Sequence, residues 1–179
     1  MGRKIFKIIS FIFLIILTKE IFMIIYVNFQ NEKSVSSYYI NESSFNYNTE
    51  MIIDIPSINL ETIVKKATDN FDNLDKNLVY YKNNDYNKTI IILGHSGLGY
   101  GTYFNRINEL SFSDLLYLSV GNKKIEYKFS KNYEIKETYV DILNSNLNNT
   151  LLLITCKKND NNKRLVVEYK VNSVQTLKI

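Results

Sequence analysis

Apolar residues are distributed in two different ways along the chain. From Ile8 to Val27 they form a nearly continuous run, broken chiefly by Thr18, Lys19 and Glu20. A helix needs about 20 apolar residues to cross a bilayer, so this run predicts a membrane-spanning helix. From about residue 50 onward the apolar residues come in short stretches separated by turn formers. Met51–Ile55 reads as a strand ended by Pro56, and Ile58–Val64 alternates as a second. Residues 69–80 place Phe71, Leu74 and Leu78 at helical spacing, which predicts a short helix. Thr89–Leu93 is wholly apolar after its first residue, as in a buried strand, and it delivers Gly94 and His95. Phe104, Ile107 and Leu110 recur three apart, fitting a helical turn packed on a sheet.

The second half is more regular. Leu116, Leu118 and Val120 alternate with polar neighbours, Gly121-Asn122 makes a turn, and Ile125, Tyr127 and Phe129 alternate again. That is the signature of a hairpin. Residues 130–149 read mostly as loop, with a short turn over Val140–Leu143. Strands over 150–156 and 165–171 then close the domain around a Lys/Asn-rich connection. Many short strands and few helical periods predict an all-β barrel or sandwich. In the last strand Leu165, Val167, Tyr169 and Val171 share one face, which should be the core, whereas Arg164, Glu168 and Lys170 share the other.

These patterns divide the chain into a basic tip and anchor (1–28), a linker rich in Asn, Ser, Tyr and Glu (29–49), and one folded domain (50–179). Lys19 and Glu20 burden the apolar run, since a charge at mid-membrane costs about 2.5–3.5 kcal/mol on insertion scales. The rival reading is a cleaved signal peptide, but no small-residue cleavage site follows residues 8–18. Arg3, Lys4 and Lys7 precede the run. They place the N-terminus in the cytoplasm and the folded domain outside a single-pass cell-membrane anchor. The formal net charge of +4 comes without a basic stripe interleaved with aromatics, so nucleic acid is not an expected partner.

The chain has one cysteine, Cys156, and one histidine, His95. An exported chain with a single thiol has no intrachain disulfide, which leaves that thiol intermolecular or reactive. Cys156 ends an apolar run and opens a polar stretch, a position at the mouth of a sheet. A free thiol is mostly protonated at neutral pH. A neighbouring imidazole and a guanidinium favour the thiolate, and a guanidinium also holds a developing oxyanion. His95 at a strand end, before the glycine-rich stretch Ser96–Gly101, and Arg164 on the strand after Cys156 supply both groups. The bland alternatives are a buried structural cysteine, a core histidine and a surface arginine. One His and one Cys are too few for a standard structural zinc site, so no metal or other cofactor is expected. A serine-hydrolase elbow around Ser96 fails because its last position is Leu98.

Residues from about 50 to 172 resemble a sortase, a membrane-anchored cysteine transpeptidase of Gram-positive bacteria. The likeness lies in Ile53–Leu60 as the opening strand pair and in Ile91-Ile92-Leu93-Gly94-His95. It extends to Ser113-Asp114 before an apolar strand, and to Leu153-Ile154-Thr155-Cys156 followed by Arg164. The family's T-L-x-T-C signature has Leu152 in place of its first Thr, and Ser113 replaces a customary glycine. The short connections favour a short-loop type. The resemblance implies an eight-stranded β-barrel with one or two short helices. It implies Cys156 as nucleophile, His95 as general acid and base, and Arg164 as donor to the substrate carbonyl or oxyanion, with Thr155 and Ser96 contacting substrate. The substrates it implies are surface proteins or pilins bearing a C-terminal Leu-Pro-x-Thr-Gly-like sorting motif. The acceptor is an amine of a peptidoglycan precursor or a pilin lysine. Two alternatives stay open: a non-catalytic membrane-tethered module binding cell-wall material, and a strict thiol hydrolase.

Overall fold

The computed structural model describes residues 2–40, 50–81, 85–97 and 101–177. The N-terminal helix α1 (Gly2–Ile40) contains the apolar run. Its stretch Lys4–Tyr26, 23 residues, is long and apolar enough to cross a membrane, and its side chains are exposed. At 1.5 Å per residue it spans about 35 Å, against a hydrocarbon core of about 30 Å. The helix continues through the first half of the segment expected as a linker, and residues 41–49 of that segment lie outside the described residues.

Eight strands follow: β1 (Glu50–Ile55), β2 (Leu60–Lys66), β3 (Leu78–Tyr81), β4 (Thr89–Leu93), β5 (Leu115–Val120), β6 (Lys123–Lys136), β7 (Thr150–Lys157) and β8 (Asp160–Thr176). They close into a barrel in the order β1-β2-β3-β4-β7-β8-β6-β5, with β5 pairing back onto β1. Of the barrel or sandwich that the strand pattern allows, the observed fold is the barrel, as the resemblance implies. Most neighbours are antiparallel. β2 with β3 and β4 with β7 are parallel.

Alternation puts one face of each strand inside. Ile53, Ile55, Val64, Leu116, Leu118, Ile125, Tyr127, Leu151, Leu153, Val167 and Tyr169 are buried in one cluster, with Leu165 and Val171 packed against it. Fully burying a side chain of this kind stabilises the fold by about 1.5–3 kcal/mol. The core face expected for β8 is therefore the one observed. The outer face of β4, β7 and β8 is not simply wet. Ile91, Leu152, Ile154 and Val166 form a second cluster there with Ile142, from the 3-10 turn Val140–Asn144 that lies across it.

Three local expectations change. Residues 69–80 form no single helix: a 3-10 turn covers Asp72–Asp75, and Leu78 already belongs to β3. Phe71 stands in the left-handed region (φ 57°), which blocks a helix from starting earlier, and its ring stacks on Tyr81 at 5.7 Å. Residues 130–136 are strand and not loop, because β6 pairs with β8 as far as Lys136 opposite Lys163. A register shift between Phe129 and Lys131 makes Ser130 an extra residue, and beyond it Tyr133 and Ile135 pack on the outer cluster. The connection between β7 and β8 is tighter than the 157–163 loop expected, since Lys157 already pairs with Asp160 and Asn159 takes the left-handed turn conformation (φ 66°).

Candidate active site

The site forms where β4 and β7 end and β8 begins. β4 and β7 run parallel, with Leu93 opposite Ile154. His95 and Cys156 each lie two residues past that pair, so the topology brings the only imidazole and the only thiol to one end of the barrel. Gly94 permits this. A Cβ there would stand 2.3 Å from Leu78 Cδ2 and 2.6 Å from Phe104 Cδ2, so a larger residue would push the strand end away from the core. On the other side, the antiparallel β7/β8 pair sets Cys156 directly opposite Arg164. The β7/β8 hairpin thus brings these two residues together, as expected from the strand pattern.

Cys156 is a free, half-buried thiol. The His95 ring is 38% exposed, and its Nε2 lies 3.5 Å from Asp75 Oδ1. The His95 carbonyl accepts the Phe104 N–H at 3.0 Å. Among the described residues, the thiol and the imidazole make no hydrogen bond to each other. Arg164 Nη1 donates to the carbonyls of Asn161 (2.8 Å) and Lys163 (3.1 Å), and Nη2 donates to Glu137 Oε2 at 3.3 Å. Arg164 is therefore opposite Cys156 by backbone register, with its guanidinium held by these three groups.

The two expected substrate contacts sit differently. Thr155 is buried, and its hydroxyl has no hydrogen-bond partner among the described residues. Ser96 donates its hydroxyl to the Cys156 carbonyl at 2.7 Å. Of the glycine-rich stretch that follows His95, Leu98–Tyr100 lie outside the described residues. Gly97 is held by its N–H, which donates to Asn105 Oδ1 at 2.6 Å.

A pocket of about 180 Å³ opens beside the thiol. It has an apolar floor of Phe104 and Leu165, and polar walls from Asn105, Asn108, Glu134, Lys157 and Lys158. Lys157 and Lys163 both donate to Glu134. The Lys157 bond is the main reason the Glu134 carboxyl is held below its ordinary value. Among the described residues, no cluster of three or more metal-ligating side chains occurs.

Asp75, Glu137 and Glu134 were not singled out from the sequence. Each comes from an element distant in sequence from the residue it meets, and no local motif marks them. The register gathers a thiol, an imidazole and a guanidinium at one barrel end, and of the three it is the thiol that lines the pocket.

Among curated proteins none matches the sequence. Among solved structures, the chain is similar to sortase A of Listeria monocytogenes, with 23% identity, 73% of this chain and 91% of that chain covered, and a TM-score of 0.64. It is also similar to the sortase D5 transpeptidase of Clostridium perfringens, with 18% identity, 80% and 98% covered, and a TM-score of 0.66. A third is sortase E1 of Streptomyces coelicolor, with 16% identity, 72% and 90% covered, and a TM-score of 0.60. At these identities the likeness is one of fold. The family model for the sortase domain matches residues 53–172, which takes in all eight strands at least in part, and the chain belongs to the sortase family.

Proposed function

We propose that the protein is a membrane-anchored cysteine transpeptidase acting on proteins that carry a C-terminal sorting motif. The observation that carries this reading is the convergence of the chain's only Cys and only His at the parallel β4/β7 end, with Arg164 in register opposite the Cys. Membership of the sortase family supports the reaction class.

In the proposed reaction the Cys156 thiolate attacks the carbonyl carbon of the motif's threonine. Negative charge builds on the carbonyl oxygen, and Arg164 donates to it. This suits a guanidinium, which stays charged and carries five donors. His95, as imidazolium, gives its proton to the departing amine as the C–N bond breaks, leaving a thioester on Cys156. An incoming amine then attacks the thioester and passes a proton to neutral His95. The C–S bond breaks and the thiolate returns. The acceptor is an amine of a peptidoglycan precursor or a pilin lysine. Helix α1 holds the enzyme at the membrane, with the barrel on the outer side where both partners are found.

The test is intact-mass spectrometry of the full chain in detergent micelles with a panel of Leu-Pro-x-Thr-Gly-type peptides, with and without an amine. The expected result is an adduct on Cys156 equal to the acyl fragment, discharged by amine and absent from Cys156→Ala. Arg164→Lys should slow adduct formation by roughly 100-fold or more, as loss of an oxyanion donor does. If no peptide gives an adduct and Cys156 also resists alkylation, the thiol is inert and the non-catalytic module becomes the better account. Discharge by water alone, indifferent to amine, identifies a hydrolase.

A further inference from the structure

The parallel β4/β7 ladder stops one rung short of the two reactive residues. Its last backbone rung beyond β4 runs from the Gly94 N–H to the Ile154 carbonyl at 3.2 Å. Donors on one strand of a parallel ladder recur every two residues, so the next donor on the β4 side would be the Ser96 N–H, reaching the Cys156 carbonyl. That carbonyl receives the Ser96 hydroxyl, at 2.7 Å. A side chain thus stands where a backbone donor would continue the sheet. The substitution lengthens the link by the reach of the side chain, so the backbone at His95 can leave the ladder and stay fastened to the nucleophile's own peptide unit.

The other ties of this segment go elsewhere, the His95 ring itself to Asp75 at 3.5 Å. Phe104 N–H holds the His95 carbonyl, and Asn105 holds Gly97. Both come from the loop before the 3-10 turn Ile107–Glu109, not from β7. Among the described residues, past Gly94 it is the Ser96 hydroxyl that ties this segment to the peptide unit of the thiol.

We propose that Ser96 is a positioning residue that couples the His95 segment to Cys156, its hydroxyl being committed to the protein and not to substrate. The proposal rests on the transpeptidase reading above, in which His95 must exchange a proton at atoms held by Cys156. A displacement of about 1 Å in such a pair costs on the order of 100-fold in rate. Ser96→Ala should therefore lower the kcat of thioester formation roughly 10–100-fold with KM within about twofold, and Ser96→Thr, which keeps the hydroxyl, should recover most of the rate. A rise in KM at unchanged kcat would mean a substrate contact and overturn the proposal. So would equal losses in Ser96→Ala and Ser96→Thr.

A second readout needs no sorting peptide. The rate of Cys156 alkylation by iodoacetamide is measured against pH, by intact mass on the full chain in micelles. The charged groups around the pair are Asp75 at His95, Arg164 with Glu137, and Lys157, Lys158 and Glu134 at the pocket, and the Ser96 variants leave all of them in place. His95→Ala should remove the imidazole's inflection from the profile. Ser96→Ala should flatten or displace it, and Ser96→Thr should keep it. Superimposable wild-type and Ser96→Ala profiles overturn the proposal, as does a wild-type profile indifferent to His95→Ala. If the inflection behaves as expected while no peptide ever forms a thioester, the coupling stands and the transpeptidase reading is the one that fails.

Discussion

Arg164 spends three N–H donors on Asn161, Lys163 and Glu137. A guanidinium has five, so two remain for a substrate oxygen without breaking any of these bonds. A lysine could not divide itself in this way, which is the physical ground for the loss expected in Arg164→Lys. Glu134, two strands from Cys156, gathers Lys157 and Lys163 and is held below 4.5 by the Lys157 bond first, against a smaller upward push from desolvation. A carboxyl depressed in the folded state stabilises above its unfolded value, and that contribution is lost as pH falls through the folded one. Glu134→Gln should therefore lower the melting temperature slightly at neutral pH, the pairs being half-exposed, and make its acid limb below about 4.5 shallower by the same amount, so that the two proteins converge at low pH. An acid limb identical to wild type would show that the lysine bonds carry no linkage.

At the level of strands, Gly94 is the joint between core and chemistry. Its missing side chain lets β4 pass close over Leu78 and Phe104 before releasing His95. Gly94→Ala overpacks this contact and should cost about 1–3 kcal/mol. An unchanged melting temperature would mean that both side chains yield freely. Such strand ends were legible from alternation alone: the hairpin at Gly121, the core face of β8 and the meeting of Cys156 with Arg164 all follow from period-two patterning. The far half of β6 was not. Its bulge at Ser130 shifts the alternation by one, and its apolar residues Tyr133 and Ile135 answer to the outer cluster. A pattern reader looking for one continuous core face sees only polar loop there. Residues 69–80 failed for a related reason, since spacing by three or four also arises when a turn runs into a short strand. Asp75 and Glu137 were illegible because pairing between remote elements leaves no local trace.

Across the whole molecule, an exposed apolar helix and a compact barrel are joined in one chain. The positive charges before the helix predict a barrel outside the cell. Cys156 gives this a direct test, being the chain's only thiol. A membrane-impermeant maleimide applied to intact cells should label the wild-type chain and leave Cys156→Ala unlabelled. Labelling only after lysis would reverse the orientation.

Closure of the barrel sets the terms on which a peptide can be held. β4 and β7, the strands nearest the thiol, have each other and β3 or β8 as hydrogen-bonded neighbours, so neither offers a free edge for an extended peptide to join as an extra strand. A guest's main-chain groups must then be met by side chains and inter-strand segments, one at a time. Sequence preference would accordingly travel with those segments when they are grafted between barrels, while exchanging the strands beneath them would leave it where it was.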